Sequence, residues 1–197
     1  SARMLDDKVG YIRISMFNEK TGEDLAEKLN ELKGKGMKAL VLDLRNNPGG
    51  LLEEGVKTAE FFVPKGPIVS VVTKDGSRRT FSAQQDAESY PLAVLVNGGS
   101  ASASEIVAGA IQDRKVGVLV GSKTYGKGSV QKVIPLDRDS AVKVTIAKYF
   151  TPNDRSINGI GLEPDVKVEF PERKPGENEV FKDVQLDAAV KLLQEKL

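Results

Sequence analysis

The stretch from Val118 to Leu136, VLVGSKTYGKGSVQKVIPL, holds most of one chemical motif and the outline of another. Gly121 to Lys127 reads G-x-x-x-x-G-K, the spacing with which backbone N–H groups and a lysine cradle phosphates, but Gly128 stands where Ser or Thr should hold magnesium. A phosphate loop must also open a helix whose amino terminus faces the phosphates. The residues after Gly128 are β-branched and include Pro135, so they predict a strand, and nucleotide binding is not expected. Ser129 and Lys132 make S-x-x-K, which pairs a serine with a lysine on one face of a helix. On a strand the two point to opposite faces, so that spacing is set aside as well.

Two other turns carry residue types suited to acyl transfer. In VNGGSASASE, Val96 to Glu105, a buried strand runs into glycines and serines and then opens a helix. Backbone N–H groups and the positive dipole end at such a place can stabilise an oxyanion. Ser100, Ser102 and Ser104 are all candidates for a nucleophile there, and each could equally be a helix cap. In LRNNPGG, Gly49 and Gly50 could serve only as a strand-to-helix turn, or could leave backbone N–H groups open to a reacting carbonyl.

A serine nucleophile needs a base, and the chain contains no histidine. Ser-His-Asp catalysis and histidine-ligated zinc are therefore excluded. A lysine can serve if burial depresses its pKa. Lys127 has glycine on each side, which permits tight packing around it, and it could also be an ordinary loop lysine. Gln131 would fall on the same face if the strand begins at Lys127, and a neutral amide there could hold the amine without adding charge.

The totals narrow the field further. With 197 residues and 40% hydrophobic content, the chain can build one sizeable core and is expected to form one globular unit. Lysine and arginine number 29 against 28 acids, so no net field draws nucleic acid or an anionic membrane, and recognition must be local, in a groove. The absence of cysteine excludes disulfides, thiolate metal sites and cysteine nucleophiles. No run approaches ~18 apolar residues, so no membrane segment is expected, and the start shows no signal pattern.

These residues must be positioned by an α/β framework. KVGYIRISMF alternates like a half-buried strand, and TGEDLAEKLNELKGKG places Leu25, Leu29 and Leu32 on one helical face. KALVLDL and PLAVLV are continuous apolar runs, as in strands covered on both sides. Each leads through a glycine turn into a helix, LLEEGVKTAEFFV and EIVAGAIQD. PIVSVVT, RRTFSA, VGVLVG, SVQKVIPL, VKVTIAKYF and DVKVEF supply further strands, giving a mixed sheet with flanking helices. The expected organisation is a core over 1–170, a linker over 171–182, and an amphipathic helix over 183–197 that packs on the core or on a second copy.

Taken together, LVLDLRNNPGGLLEEGVKTAEFFV, LAVLVNGGSASASEIVAGAIQD, VLVGSKTYGKGSVQ and GIGLEPDVKVEF closely resemble the protease core of the carboxyl-terminal processing peptidases, or tail-specific proteases, from about Lys8 to Phe170. The resemblance implies a Ser-Lys dyad with Ser102 as nucleophile, Lys127 as base and Gln131 as its support. It also implies an oxyanion pocket from the Ala103 N–H and a glycine of NPGG, with Gly50 preferred to Gly49. It implies ββα repeats like those of crotonases and the Clp protease, and no metal, nucleotide or other cofactor. Substrates would be proteins cut near nonpolar carboxyl termini or in unfolded segments, outside the cytoplasm: in the periplasm, on the outer side of the membrane, or in the thylakoid lumen. Members of that family place a peptide-binding PDZ domain ahead of this core, and SARMLDDKVG has nothing from which to build one. Two rival readings share the scaffold: a non-catalytic binding module like the retinoid-binding repeats of the eye, and a crotonase-type enzyme acting on thioesters. The presence of Ser102, Lys127 and Gln131 together weighs against the first, and YGKGSVQ against the second.

Overall fold

The computed structural model describes residues 1–137, 140–170 and 182–197. Its larger sheet runs in the order β1 (Ala2–Met4), β2 (Val9–Arg13), β3 (Ala39–Asp43), β6 (Leu92–Val96), β7 (Val118–Gly121) and β10 (Val166–Lys167). β1 is antiparallel to β2, and every other pairing is parallel. A smaller antiparallel sheet runs β5 (Arg78–Ala83), β4 (Gly66–Thr73), β9 (Ala141–Phe150), β8 (Ser129–Pro135). Four helices among the described residues complete the mixed α/β fold: α1 (Thr21–Gly34), α2 (Leu52–Glu60), α3 (Ala103–Asp113) and α4 (Val184–Gln194).

Parallel strands need covered faces, and the alternation of side chains divides the larger sheet between two cores. Ile12, Leu40, Leu42, Val94 and Val96 point into the main core with α1, α2 and α3. Tyr11, Ala39, Val41, Ala93 and Leu95 point the other way, where α4 lays down Ala189 and Leu193. α3 is buried along nearly its whole length, so its sequence shows small and aliphatic residues all round rather than one apolar stripe. Gly55 of α2 lets the two helices approach, because a Cβ added there would lie 3.1 Å from that of Ala103.

The expected strands and helices form, with differences where the signal was short. β1 is three residues long and lies in a segment too brief to show a period. β10 covers only Val166–Lys167 of DVKVEF. The strand after Gly128 forms as β8, starting at Ser129 rather than Lys127, and its register against β9 shifts between Val130 and Gln131. The linker expected over 171–182 lies outside the described residues apart from Lys182. No helix among the described residues is long and apolar enough to cross a membrane.

The terminal helix docks through charge as well as packing. Full burial of a side chain such as Leu193 contributes about 1.5–3 kcal/mol. Asp183, the N-cap of α4, accepts from Leu186 N–H (3.0 Å) and pairs with both terminal nitrogens of Arg45 (2.8 Å each). Burial pushes the Asp183 carboxyl up, but hydrogen bonds from Arg45 and Leu186 outweigh it and hold the group below its usual range. The ionised pair therefore stabilises the fold above the unfolded carboxyl pKa of about 3.9, and that contribution is lost as pH falls below it. The difference in Tm between wild type and Asp183→Asn is expected to be constant from about pH 7 to about pH 5 and to shrink below about pH 4. Calorimetry across that range checks it, and a difference unchanged at about pH 2.5 would contradict it.

Candidate active site

Three neighbouring parallel strands, β3, β6 and β7, end side by side, and the segment after each carries one part of the candidate site. The carboxyl edge of a parallel sheet is where such loops converge. After β3 comes the turn Leu44 to Leu51 with both glycines. After β6 comes Asn97 to Ser102, and after β7 the loop Ser122 to Gly128 with Lys127.

The first two turns are stitched together by polar groups. Ser100 Oγ accepts from Asn97 N–H (3.0 Å) and donates to the Leu44 carbonyl (2.8 Å). Ser104 Oγ donates to the Asn47 carbonyl (2.9 Å), which also accepts from Ala101 N–H (3.0 Å). Both serines are fully buried and committed to the scaffold. Ser102 is partly exposed, stands at the N-cap of α3, and has φ 57° and ψ −116°. A positive φ at a non-glycine residue costs energy and marks a position that its surroundings force. A sharp, strained strand-to-helix turn of this kind is how nucleophilic serines are exposed in other folds.

The glycines of NPGG play different parts. A Cβ on Gly49 would meet Ser102 Cβ at 2.6 Å and Ala103 N at 2.9 Å, so this residue must be bare for the two turns to touch. Its own N–H is spent on Asn47 Oδ1 (2.9 Å). Gly50, at φ 146°, would drive a Cβ to 2.0 Å from the Phe17 carbonyl oxygen. The N–H groups of Gly50 and Ala103 have no acceptor among the described residues. Two free donors therefore flank the point where Gly49 meets Ser102.

Glu105 ties in the third segment. It is fully buried, and its carboxylate takes four hydrogen bonds. Oε1 accepts from Thr124 Oγ1 (2.5 Å) and Gly126 N–H (2.7 Å), and Oε2 from Lys127 N–H (2.8 Å) and Ser102 N–H (3.0 Å). One oxygen thus holds the backbones of Ser102 and Lys127, whose nitrogens can be no farther apart than those two bonds laid end to end. The far side of the loop is pinned by Leu162 N–H on Thr124 Oγ1 (2.7 Å), and Gly128 is bare because a Cβ there would lie 2.4 Å from Asn158 N.

The side chains of Lys127 and Gln131 differ from expectation. Lys127 is exposed, because the glycines beside it serve the close packing of the backbone and leave the amine outside. No hydrogen bond joins its Nζ to Ser102 Oγ or to Gln131 among the described residues. Gln131 is exposed on β8, which begins only at Ser129, so Lys127 lies outside the strand and simple alternation from it does not set the direction of Gln131. Glu105, which ties these segments together, is the residue that sequence reasoning misses, although Ser102-x-x-Glu105 has the spacing of a capping box.

Residues 8–168 match peptidase family S41. The chain belongs to this family. It is 43% identical over 198 residues to the carboxyl-terminal-processing protease of Synechocystis sp., covering 98% of this chain and 46% of that protein. It is 42% identical over 188 residues to the chloroplastic C-terminal processing peptidase of Tetradesmus obliquus, covering 94% and 40%. A solved photosystem II D1 C-terminal processing protease superposes with a TM-score of 0.76 at 42% identity, covering 82% of this chain and 42% of that one. This S41 chain thus spans about half the length of the curated relatives it matches.

Replacing Glu105 by Gln would keep one acceptor oxygen but turn an NH₂ toward backbone donors. Hydrogen bonds to a charged group contribute about 1.5–3 kcal/mol each, so the loss is expected to be on the order of 3 kcal/mol. That corresponds to a Tm fall of about 6–12 °C for a chain of this size, read by thermal denaturation.

Proposed function

We propose that this chain is the catalytic core of a serine endopeptidase that works by acyl transfer. Ser102 is the nucleophile and Lys127 the base. The observation that carries the reading is Ser102 in its forced positive-φ conformation between the unbonded N–H groups of Ala103 and Gly50. Those two donors are the proposed oxyanion hole, and Gly50 is preferred to Gly49 because the Gly49 N–H already has its acceptor. A binding module on this scaffold would have no use for a strained serine beside two open donors.

Lys127 takes the Ser102 proton as Oγ attacks the scissile carbonyl, and the resulting oxyanion rests on the two N–H groups. The protonated lysine then gives its proton to the leaving amine, and the same amine activates the water that clears the acyl-enzyme. A base must be neutral when it acts, and an extended substrate lying over the exposed Lys127 removes the water that favours the charged amine. Gln131, exposed on the strand that comes next, is proposed to orient the amine within the covered groove.

The rim supports apolar, unfolded substrate. Leu51 follows Gly50, Tyr125 precedes Gly126, Ile160 lies against Gly126, and Met16 precedes the Phe17 that packs on Gly50; all four side chains are exposed. Nonpolar carboxyl termini and unfolded segments are the proposed substrates, with no cofactor in the chemistry. The additional length of the relatives is the proposed seat of a substrate-presenting PDZ domain, and assembly into homo-oligomers is part of the same reading. The proposed location is outside the cytoplasm, and one relative is named as chloroplastic.

Ser102→Ala is expected to abolish hydrolysis of unfolded casein by the whole protein while circular dichroism stays that of wild type. Lys127→Met is expected to lower kcat by about 10²–10⁴-fold, the usual range for a lost general base. Undiminished cleavage by the alanine variant would contradict the proposal.

A further inference from the structure

The turn that carries Gly49 and Gly50 is held by the serine turn, by Ile14 and Phe17 (Asn47 Nδ2 to the Ile14 carbonyl, 2.8 Å; Phe17 N–H to the Gly49 carbonyl, 2.9 Å) and, through Arg45, by the carboxyl-terminal helix. Arg45, two residues past β3, is buried, and all five of its guanidinium N–H donors are bonded. Nε and one Nη2 proton go to Asp43 (3.0 and 2.7 Å). The other three go to α4: two to the Asp183 carboxylate (2.8 Å each) and one to Gln185 Oε1 (3.1 Å). Gln185 is itself fixed, donating to the Val168 carbonyl (2.8 Å). On the inner side Asp43 Oδ1 also accepts from Arg45 N–H (2.9 Å), and Oδ2 accepts from the Tyr11 hydroxyl (2.7 Å). Burial first, and the Asp43 carboxylate second, push that phenol up to about 12, so it remains a donor.

The anchoring matters because the backbone just beyond Arg45 is strained. Asn46 has φ 56°, a left-handed conformation that asparagine tolerates better than most residues but that its neighbours must still select. On one flank Asn46 and Asn97 exchange two hydrogen bonds, Asn46 N–H to Asn97 Oδ1 (2.9 Å) and Asn97 Nδ2 to Asn46 Oδ1 (3.0 Å). On the other stands Arg45. Asn47 then sets Gly49 directly, through Oδ1 on the Gly49 N–H, and reaches the serine turn through its carbonyl.

We infer that Asp183 is a positioning residue for the active site: through Arg45 it holds the Asn46–Gly50 backbone so that the Gly50 N–H faces the same point as the Ala103 N–H. The charged groups facing Asp183 are Arg45 and, behind it, Asp43. The inference rests on the endopeptidase reading of the site. An oxyanion donor acts in the transition state, so its displacement lowers kcat and leaves KM nearly unchanged.

Asp183→Asn suits the test, because asparagine still caps the helix but cannot form the paired charge on both Arg45 nitrogens. Leu193→Ala is the control: it loosens α4 by removing buried packing and leaves the ion pair in place. The whole protein is assayed on unfolded casein and on a fluorogenic peptide derived from it, with Tm measured alongside. Asp183→Asn is expected to lower kcat by about 10²-fold with KM within about twofold, as for a small misplacement of catalytic groups. Leu193→Ala, with at least as large a fall in Tm, should keep kcat within about twofold. In parallel, the Gly50 and Asn46 amide resonances of ¹⁵N-labelled protein should move in Asp183→Asn and stay in place in Leu193→Ala. That readout needs no turnover, so a wild type that cleaves nothing would count against the endopeptidase reading, while the amide shifts would still decide on Asp183. Wild-type kcat and unmoved amides in Asp183→Asn would overturn the inference, as would equal effects of the two variants.

Discussion

A single buried carboxylate, that of Glu105, is the interaction on which the arrangement of the site depends. Placing a charge in a fully buried position is costly unless donors surround it, and here three backbone N–H groups and one hydroxyl do so. Those donors come from two segments, Ser102 and the run Thr124 to Lys127, which are joined besides by the Tyr125 N–H on the Ser100 carbonyl (3.0 Å). The helix dipole adds to the effect, since the carboxylate sits in the first turn of α3. The same group that starts the helix thus brings the backbones of the proposed nucleophile and base side by side.

The sheet makes this possible. Because β3, β6 and β7 are adjacent and parallel, the segments after them emerge at one edge, and short polar bridges through Ser100, Ser104, Asn47 and Asn97 lock the first two together. Two of the four non-glycine residues with positive φ among the described residues, Ser102 and Asn46, stand in the site, each between hydrogen-bonded neighbours. Membership of peptidase family S41 agrees with this architecture, and the match over residues 8–168 contains every segment of the site.

Much of the fold is legible in the sequence because its signals are local. Continuous apolar runs mark β3, β6 and β7 as covered strands, and glycine turns ahead of periodic segments mark α2 and α3. β1 and β10 are too short to show a period, and the register shift in β8 depends on β9, which is far along the chain. In the site, the sequence leaves Ser100, Ser102 and Ser104 equivalent on their own merits; what separates them is which hydroxyls find partners 56 and 57 residues away. The glycines beside Lys127 suggest a buried amine, but they pack backbone against backbone and leave it outside. The tie from Arg45 to Asp183 spans 138 residues and has no local signature at all.

The most direct test of the central claim is a crystal structure of the protein reacted with a peptide boronic acid ending in an apolar residue. Boron is expected to be bonded to Ser102 Oγ, with one boronate oxygen ~2.7–3.1 Å from both the Ala103 and Gly50 nitrogens. Lys127 Nζ is expected to be covered by the peptide and ~2.6–3.2 Å from Ser102 Oγ. A boronate attached elsewhere, or one whose oxygen turns away from both N–H groups while Lys127 stays in solvent, would contradict it.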